Sequence, residues 1–419
     1  MLFGREPLGA ISPKERMSEQ DTQPAELNVA DSRRALSGFY VSGILISFLG
    51  AILPAWHSSA DYRFVTVGYY FLSLNLGILA AVRAAPALLP RKGVRFAIVT
   101  AALLACGAFL GLAAVGPSWS PLWRDLGVFL LGASVGLLNT SIFQALSPLY
   151  RHDPAATVNL GGILLGLGCA TTALLVSGTF YVYTLPSILI FVAVIPGFYA
   201  IYCSRGRFRP VVRIAEPPTR GVLRDFKDPV AILFSLLLFF QFGNEWSLAG
   251  WLAIFLMHHI SVSPQAALLL LAMYWGALLV GRILAQVALE RVPHMRLLAI
   301  SALGALFGCL MLTYSPTKLG ATIGILLVGG GFASIYPIVV EKIGHRFTYY
   351  YPGFYNGIFS FAITGGLLAP WTLGYFAEAR GIRAVMIIPT LGTCMVVILV
   401  VLISLQARLS GQVRDRGRP

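Results

Sequence analysis

Long apolar segments that follow one another along the chain restrict its fold more than any other feature. A helix needs about 18 to 20 apolar residues to cross the hydrocarbon of a bilayer. Segments of that kind lie at 36–56, 64–82, 96–123, 126–150, 154–204, 229–257, 262–287, 297–314, 319–340, 350–377 and 384–407. Segment 154–204 is long enough for two helices that meet near Pro186. Because a backbone in lipid must satisfy its own hydrogen bonds, we predict an all-α membrane protein with twelve transmembrane helices.

The composition supports this class and argues against several others. Hydrophobic residues form 57% of the chain, charged residues form 11%, and the mean hydropathy is +0.77, which no water-soluble globular domain of this length shows. The net charge of +14 comes from basic residues dispersed over loops, so we predict the lipid bilayer as a partner and no nucleic acid. Five cysteines without CxxC spacing predict neither a disulfide framework nor a metal site.

The two halves of the chain repeat each other at an offset near two hundred. Pairs that share a residue type are Gly127 and Gly324, Gly132 and Gly329, Asn159 and Asn356, Gly168 and Gly365, Gly77 and Gly276, and Arg83 and Arg282. Matching Asn and Arg residues inside apolar segments are uncommon by chance. The repeat therefore predicts a duplicated helical bundle, with functional sites at the interface between its two halves.

Lysine and arginine residues concentrate in every second connection between the predicted helices. By the positive-inside rule both termini are cytoplasmic, so we predict a multi-pass protein of the cell membrane. The predicted parts are a disordered tail at 1–35, a six-helix bundle at 36–203, a basic linker at 204–228, a second six-helix bundle at 229–407 and a basic tail at 408–419. Several GxxxG spacings predict close helix packing; we expect a monomer, with dimerisation through one of them as the alternative.

The strongest candidate site lies in the seventh predicted helix, between Gln241 and Trp251. Glu245 stands near the middle of this helix, where a charge costs at least about 2.5–3.5 kcal/mol and therefore usually has a function. At 100° per residue Asn244 and Trp251 share one stripe, with Gln241 beside it and Glu245 on its flank. We predict that Gln241, Asn244 and Trp251 bind a solute and that Glu245 couples an ion. A buried polar network that fixes helix packing is the structural alternative.

Polar residues in the first half are candidates for the same cavity. We predict that Asn75, Asn139 and Gln144 also bind the solute. Asn159 and its repeat partner Asn356 either line this cavity or hydrogen-bond the backbone between helices.

Two arginines are candidates for a gate on the cytoplasmic side. Arg83 and Arg282 occupy equivalent predicted ends of helices two and eight. Each is predicted to bond helix ends across the interface between the halves, with Glu341 as one candidate acidic partner. The alternative is that both guanidinium groups reach the lipid headgroups.

These features together resemble the major facilitator superfamily over essentially residues 36 to 407. Two parallel six-helix repeats joined by a basic loop are typical of that fold. The segments Gly243-Asn-Glu-Trp-Ser-Leu-Ala-Gly-Trp251, Ser334-Ile-Tyr-Pro337 and Gly365-Gly366 with Pro370 resemble the fucose permease and glucose transporter branch. The resemblance implies a sugar or polyol carried by proton or sodium symport, with the acid of the seventh helix near the site. The chain departs from fucose permease in having no acid in helices one and four.

The function predicted from the sequence is secondary active transport of a small polar organic solute, with a sugar as the first candidate. Transport would proceed by alternating access with H⁺ or Na⁺ as the coupling ion and without a cofactor. A multidrug or amphipathic-solute exporter of the same fold is the alternative, although the amides Gln241, Asn244 and Asn139 argue against it. A non-transporting membrane sensor is a third hypothesis. The sequence contains no HExxH, P-loop or GxSxG motif, so we do not expect an enzyme.

Overall fold

The computed structural model describes residues 29–56, 63–116, 119–147, 154–208, 229–346 and 352–416. This part of the chain forms eleven helices and no strand, so the all-α class is confirmed. The helices are α1 (Val29–Trp56), α2 (Phe64–Ala114), α3 (Pro121–Ala145), α4 (Pro154–Thr179), α5 (Leu185–Ser204), α6 (Pro229–His259), α7 (Pro264–Leu289), α8 (His294–Tyr314), α9 (Lys318–Arg346), α10 (Pro352–Arg380) and α11 (Ala384–Arg416). Most of the predicted tail at 1–35 and linker at 204–228 lies outside the described residues.

Helix α2 is a hairpin of two membrane segments. Its backbone leaves the helical conformation at Gly93, where φ is 82° and ψ is 163°. Leu74 packs on Gly132 of α3, while Ser134 of α3 donates a hydrogen bond to the carbonyl of Ala101 at 2.7 Å. In a straight helix residues 74 and 101 would lie about 40 Å apart. Because both contact the same turn of α3, the chain must fold back on itself within α2.

Eleven of the twelve membrane crossings expected from the sequence are accounted for by helices that are both long and apolar. Ten of the described helices are long and apolar enough to cross a membrane. Since α2 crosses twice, they account for eleven crossings, and α10, with 29 residues, has the length for a twelfth. The chain is therefore a multi-pass membrane protein.

Some helix boundaries differ from those expected. Helix α1 is already formed at Val29 rather than at 36. Asp31 in its first turn lies near the positive end of the helix dipole and accepts a hydrogen bond from Arg34 at 2.7 Å. Helix α3 begins at Pro121, inside a segment that the sequence predicts to end at 123. Ser120 caps this helix by accepting a hydrogen bond from the backbone of Leu122 at 3.4 Å.

The internal repeat seen in the sequence recurs in the packing of its glycines. Gly168 of α4 lies against the carbonyl of Tyr40 in α1, and its repeat partner Gly365 of α10 lies against the carbonyl of Phe239 in α6. Gly132 of α3 and Gly329 of α9 make the same kind of contact with Leu74 and Tyr274. A side chain at these positions would meet backbone atoms, so the duplicated glycines are needed for equivalent close helix contacts.

Candidate functional site

The only ion pair between described residues deep in the bundle joins Glu245 of α6 to Arg282 of α7. Arg282 Nη2 lies 3.9 Å from Glu245 Oε1, and the two side chains are 12% and 16% exposed. This distance is longer than a hydrogen bond, so the pair attracts electrostatically without the geometry of a close contact. Tyr274, two turns before Arg282, donates to the backbone carbonyl of Glu245 at 3.5 Å.

Arg282 lies between the two halves of the bundle. Its Nη1 atom packs on Gly162 of α4, where a Cβ atom would overlap it. The structure thus places Arg282 beside the candidate coupling acid rather than beside Glu341, which is 2.8 Å from His294. The equivalent Arg83 is exposed and has no ion-pair partner among the described side chains. The two arginines therefore occupy different environments despite their equivalent positions in the repeat.

Several predicted site residues are buried with unused hydrogen-bonding atoms. Gln241 is 0% exposed and Asn75 is 1% exposed. The amide of Asn75 has no hydrogen-bond partner among the described residues, while the amide of Gln241 lies near the Glu245 carboxylate without forming a hydrogen bond of good geometry. The Oδ1 atom of Asn139 is also buried without a hydrogen-bond partner among the described residues. Gln144 is half-buried. A buried polar group without a partner costs about 1–3 kcal/mol. Such groups are retained where water or a ligand completes their hydrogen bonds.

Two residues predicted to bind the solute donate hydrogen bonds within the protein. Asn244 donates to Thr393 of α11 at 3.2 Å, and the indole of Trp251 donates to the carbonyl of Pro370 in α10 at 2.9 Å. Trp251 is fully buried. On a helix, Asn244 and Trp251 differ by only about 20°, but Asn244 and Glu245 differ by about 100°. The face that the sequence assigns to the solute therefore packs on α10 and α11, while Gln241 and Glu245 lie on the neighbouring face.

One end of the bundle is closed by contacts between α2 and α10. Gly68 packs on the carbonyl of Trp371, Gly374 packs on the carbonyl of Phe64, and Tyr375 donates to the hydroxyl of Tyr69 at 2.8 Å. We call the contacts among Arg63, Phe64, Gly68, Tyr69, Gly374, Tyr375 and Glu378 the α2–α10 closure. It includes an ion pair of Arg63 with Glu378 at 3.5 Å and a hydrogen bond from the backbone of Phe64 to Glu378 at 3.0 Å. The topology predicted from the sequence would place this closure on the external side.

A stacked pair of aromatic rings lies beneath the closure. The rings of Phe71 and Trp251 are 6.0 Å apart with an angle of 29° between their planes. Asn75 follows Phe71 by one turn, so it lies on the same face of α2 and deeper in the bundle. The stack therefore separates the buried amide of Asn75 from the closed end.

At the opposite end, a side-chain hydrogen bond between described residues joins α4 to α7. Asn159 donates to Gln286 at 2.6 Å. Neither of the two roles considered for Asn159 included this contact, and Gln286 was not among the predicted residues. No spacing or motif marked Gln286, because the contact forms only when α4 and α7 meet. The side chain of Asn356 lies outside the described residues.

The structure also adds two polar groups that the sequence did not single out. Asp125, in the second turn of α3, accepts a hydrogen bond from Ser73 of α2 at 3.0 Å. The sequence assigns residues 124 and 125 to a connection, but α3, the fourth membrane segment, begins at Pro121. The expectation that helix four contains no acid is therefore wrong. The indole nitrogen of Trp275 in α7 is buried and has no hydrogen-bond partner in the described residues.

Comparison with known sequences finds distant relatives. No family model matches the chain. An uncharacterized MFS-type transporter of Yersinia pestis is 21% identical over 364 residues, which cover 87% of this chain and 92% of the relative. Membrane protein MosC of Rhizobium meliloti is 24% identical over 363 residues, covering 82% and 84%.

Comparison with solved structures identifies the fold. The D-xylose-proton symporter matches with a TM-score of 0.72 at 14% identity, covering 90% of this chain and 97% of the other. A point mutant of the nucleoside transporter NupG has a TM-score of 0.71 at 13% identity, with coverage of 90% and 99%. A point mutant of the E. coli fucose:proton symporter FucP has a TM-score of 0.62 at 15% identity, also with 90% and 99%. All three are transporters, in agreement with the prediction that the chain is not an enzyme. The chain is thus a multi-pass membrane protein with the major facilitator fold, and its resemblance to fucose permease is confirmed at the level of the fold.

Proposed function

We propose that this protein is a secondary active transporter of a small polar organic solute, with a sugar as the first candidate. The observation that carries the proposal is a set of buried amides with unused hydrogen-bonding atoms, one of which, Gln241, lies one turn before Glu245 of the buried ion pair. Gln241 and Asn75 offer both donors and acceptors, as hydroxyl groups of a sugar require. The similarity to sugar and nucleoside transporters supports the same class of solute.

Alternating access would follow from the contacts at the two ends of the bundle. The α2–α10 closure blocks one end, and the Asn159–Gln286 bond joins the halves at the other. Opening each end in turn would expose the residues between them to one side of the membrane. Glu245 would couple this cycle to H⁺, by taking up and releasing a proton, or to Na⁺, as a ligand.

Uptake into proteoliposomes tests the proposal. Purified protein should accumulate at least one labelled sugar, sugar acid, polyol or nucleoside when a proton or sodium gradient is imposed, and collapse of the gradient should abolish accumulation. Extrusion of amphipathic cations without uptake of polar solutes would favour the exporter instead. Absence of any flux across both panels would contradict the transporter and favour a sensor.

The orientation in the cell membrane is part of the proposal. The distribution of lysine and arginine predicts that both termini are cytoplasmic. We therefore expect a reporter fused after Arg418 to be active only in a form that works in the cytoplasm. Activity of an externally active reporter at the same position would reverse the orientation of the whole chain.

We expect Gln286→Ala to weaken the contact between α4 and α7 and to expose the cavity more often at that end. A hydrogen bond of this kind contributes about 0.5–1.5 kcal/mol, so the population of the open state should rise up to about tenfold. Labelling of a cysteine introduced at Asn75, measured from the predicted cytoplasmic side, reports this change. Gln265→Ala is the control, because the α4 contact of Gln265 uses its backbone carbonyl. Equal labelling of both variants would show that the bond does not gate the cavity.

A further inference from the structure

The guanidinium of Arg282 has more donors than the protein satisfies. Arginine carries five N–H donors and no acceptor. The Nε atom of Arg282 is buried without a hydrogen-bond partner in the described residues, and Nη2 is too far from Glu245 for a hydrogen bond. A guanidinium that is largely removed from water requires an anionic or strongly polar partner. The structure thus shows an arginine that forms no hydrogen bond with its acidic partner Glu245.

The balance of charges around Arg282 indicates which partner it can accept. With Glu245 ionised, the pair is neutral overall. Among the described residues, the other titratable side chains that interact with the pair are Tyr274 of α7 and Cys169 of α4, both fully buried, and both are ordinarily uncharged near neutral pH. A bound anion of charge −1 would therefore leave one uncompensated negative charge, which protonation of Glu245 would remove.

We infer that the transported solute carries a carboxylate that binds Arg282, so that the substrate class is a sugar acid rather than a neutral sugar. This inference rests on the proposed function and deepens it. The planar guanidinium matches a carboxylate with two parallel hydrogen bonds. The amides of Gln241, on the face of α6 that carries Glu245, and of Asn75 are then available for the hydroxyl groups of the same solute.

A phosphate would fit the site less well than a carboxylate. A phosphate monoester carries about −1.5 to −2 charges at neutral pH. Even with Glu245 protonated, Arg282 would neutralise only one of them, and the remaining negative charge would be buried at high cost. A carboxylate leaves the site neutral.

The same charge balance gives a coupling mechanism. The solute carboxylate and the Glu245 carboxylate compete for one guanidinium. When the solute binds Arg282, Glu245 loses its counterion and takes up a proton, and when the solute leaves, the proton is released and the original pair re-forms. One proton accompanies one monovalent solute, so transport moves no net charge.

The binding test compares acids with their neutral parents on the full-length protein. We expect gluconate or galacturonate to raise the Tm of the purified protein, while glucose and galactose do not. Arg282→Gln should weaken binding of the acid about tenfold to a hundredfold, and Arg282→Lys should weaken it less because the charge remains. Arg291→Gln is the matched control, since Arg291 is exposed in the connection after α7. If Arg282→Gln does not fold because Glu245 is left unpaired, the double variant with Glu245→Gln removes both charges and should still lose acid binding.

The outcomes separate this inference from the proposed function. Stabilisation by neutral sugars that survives in Arg282→Gln would overturn the sugar-acid assignment and leave a sugar transporter intact. Electrical current during uptake of a monovalent acid would overturn the exchange of partners at Arg282. A protein that transports nothing from the neutral or acidic panel would contradict the proposed function itself.

Discussion

The Glu245→Gln protein is expected to exchange its solute across the membrane but not to concentrate it. Glutamine keeps the shape and most of the hydrogen bonding of the side chain while removing its charge. Exchange needs only that the loaded carrier changes its direction of access, whereas accumulation needs a group whose occupancy by an ion alternates with the solute. The predicted result is complete loss of uphill accumulation, with counterflow exchange retained.

Accumulation and counterflow should both be measured on one preparation of proteoliposomes for each variant. Glu290→Gln is the control, because Glu290 is exposed at the end of α7 and lies outside the candidate site. This variant should accumulate solute like the unmodified protein. If Glu245→Gln still concentrates its solute against a gradient, then Glu245 is structural and coupling resides elsewhere, with Asp125 as the next carboxylate to test.

Much of the fold could be predicted from the sequence because its determinants are local. Each apolar segment is long enough for a membrane helix whatever its neighbours do, and the repeated glycines mark contacts that both halves share. The errors occurred at boundaries. Ser120 caps α3 and starts it earlier than apolar length alone suggests, and α1 is already helical at Val29.

The candidate site could be predicted only in part, because it depends on which face of each helix meets a neighbour. The sequence marked Glu245 and Gln241 as polar residues within an apolar helix. It could not show that Asn244 bonds Thr393, or that Arg282 reaches Glu245 rather than the membrane surface. Both facts depend on the packing of α7 and α11 against α6, which no spacing along one helix reports.

Arg83 and Arg282 illustrate the limit of an argument from repeats. Their positions match at an offset of 199, yet one side chain is exposed and the other lies between the halves. Among the described residues, Arg282 has an acidic partner, Glu245, and Arg83 has none. Duplicated backbones therefore preserve helix positions, while the function of a residue depends on side chains that have since diverged.

The largest conformational effect should come from enlarging Gly68 in the α2–α10 closure. A Cβ atom at this position would lie 2.6 Å from the carbonyl oxygen of Trp371, a backbone atom that cannot move away alone. Overpacking of this kind costs about 1–3 kcal/mol, and the strain is relieved when α2 and α10 separate. We expect Gly68→Ala, and more strongly Gly68→Val, to favour the state that is open at this end and to reduce transport at least about tenfold.

Labelling from the predicted external side distinguishes this opening from general loss of structure. The reporter is a cysteine introduced at Asn75, beneath the Phe71–Trp251 stack, in a chain whose five native cysteines are replaced by alanine. A membrane-impermeant maleimide should modify this cysteine faster in the Gly68 variants, while their Tm in detergent changes little. Gly276→Ala is the control, because a Cβ there meets no atom within 4 Å and alanine favours a helix.

Gly374→Ala should reproduce the Gly68 effect from the opposite helix, since its Cβ would lie 2.7 Å from the carbonyl of Phe64. If the Gly68 and Gly374 variants label no faster than Gly276→Ala, the contact between α2 and α10 is not the barrier that closes this end.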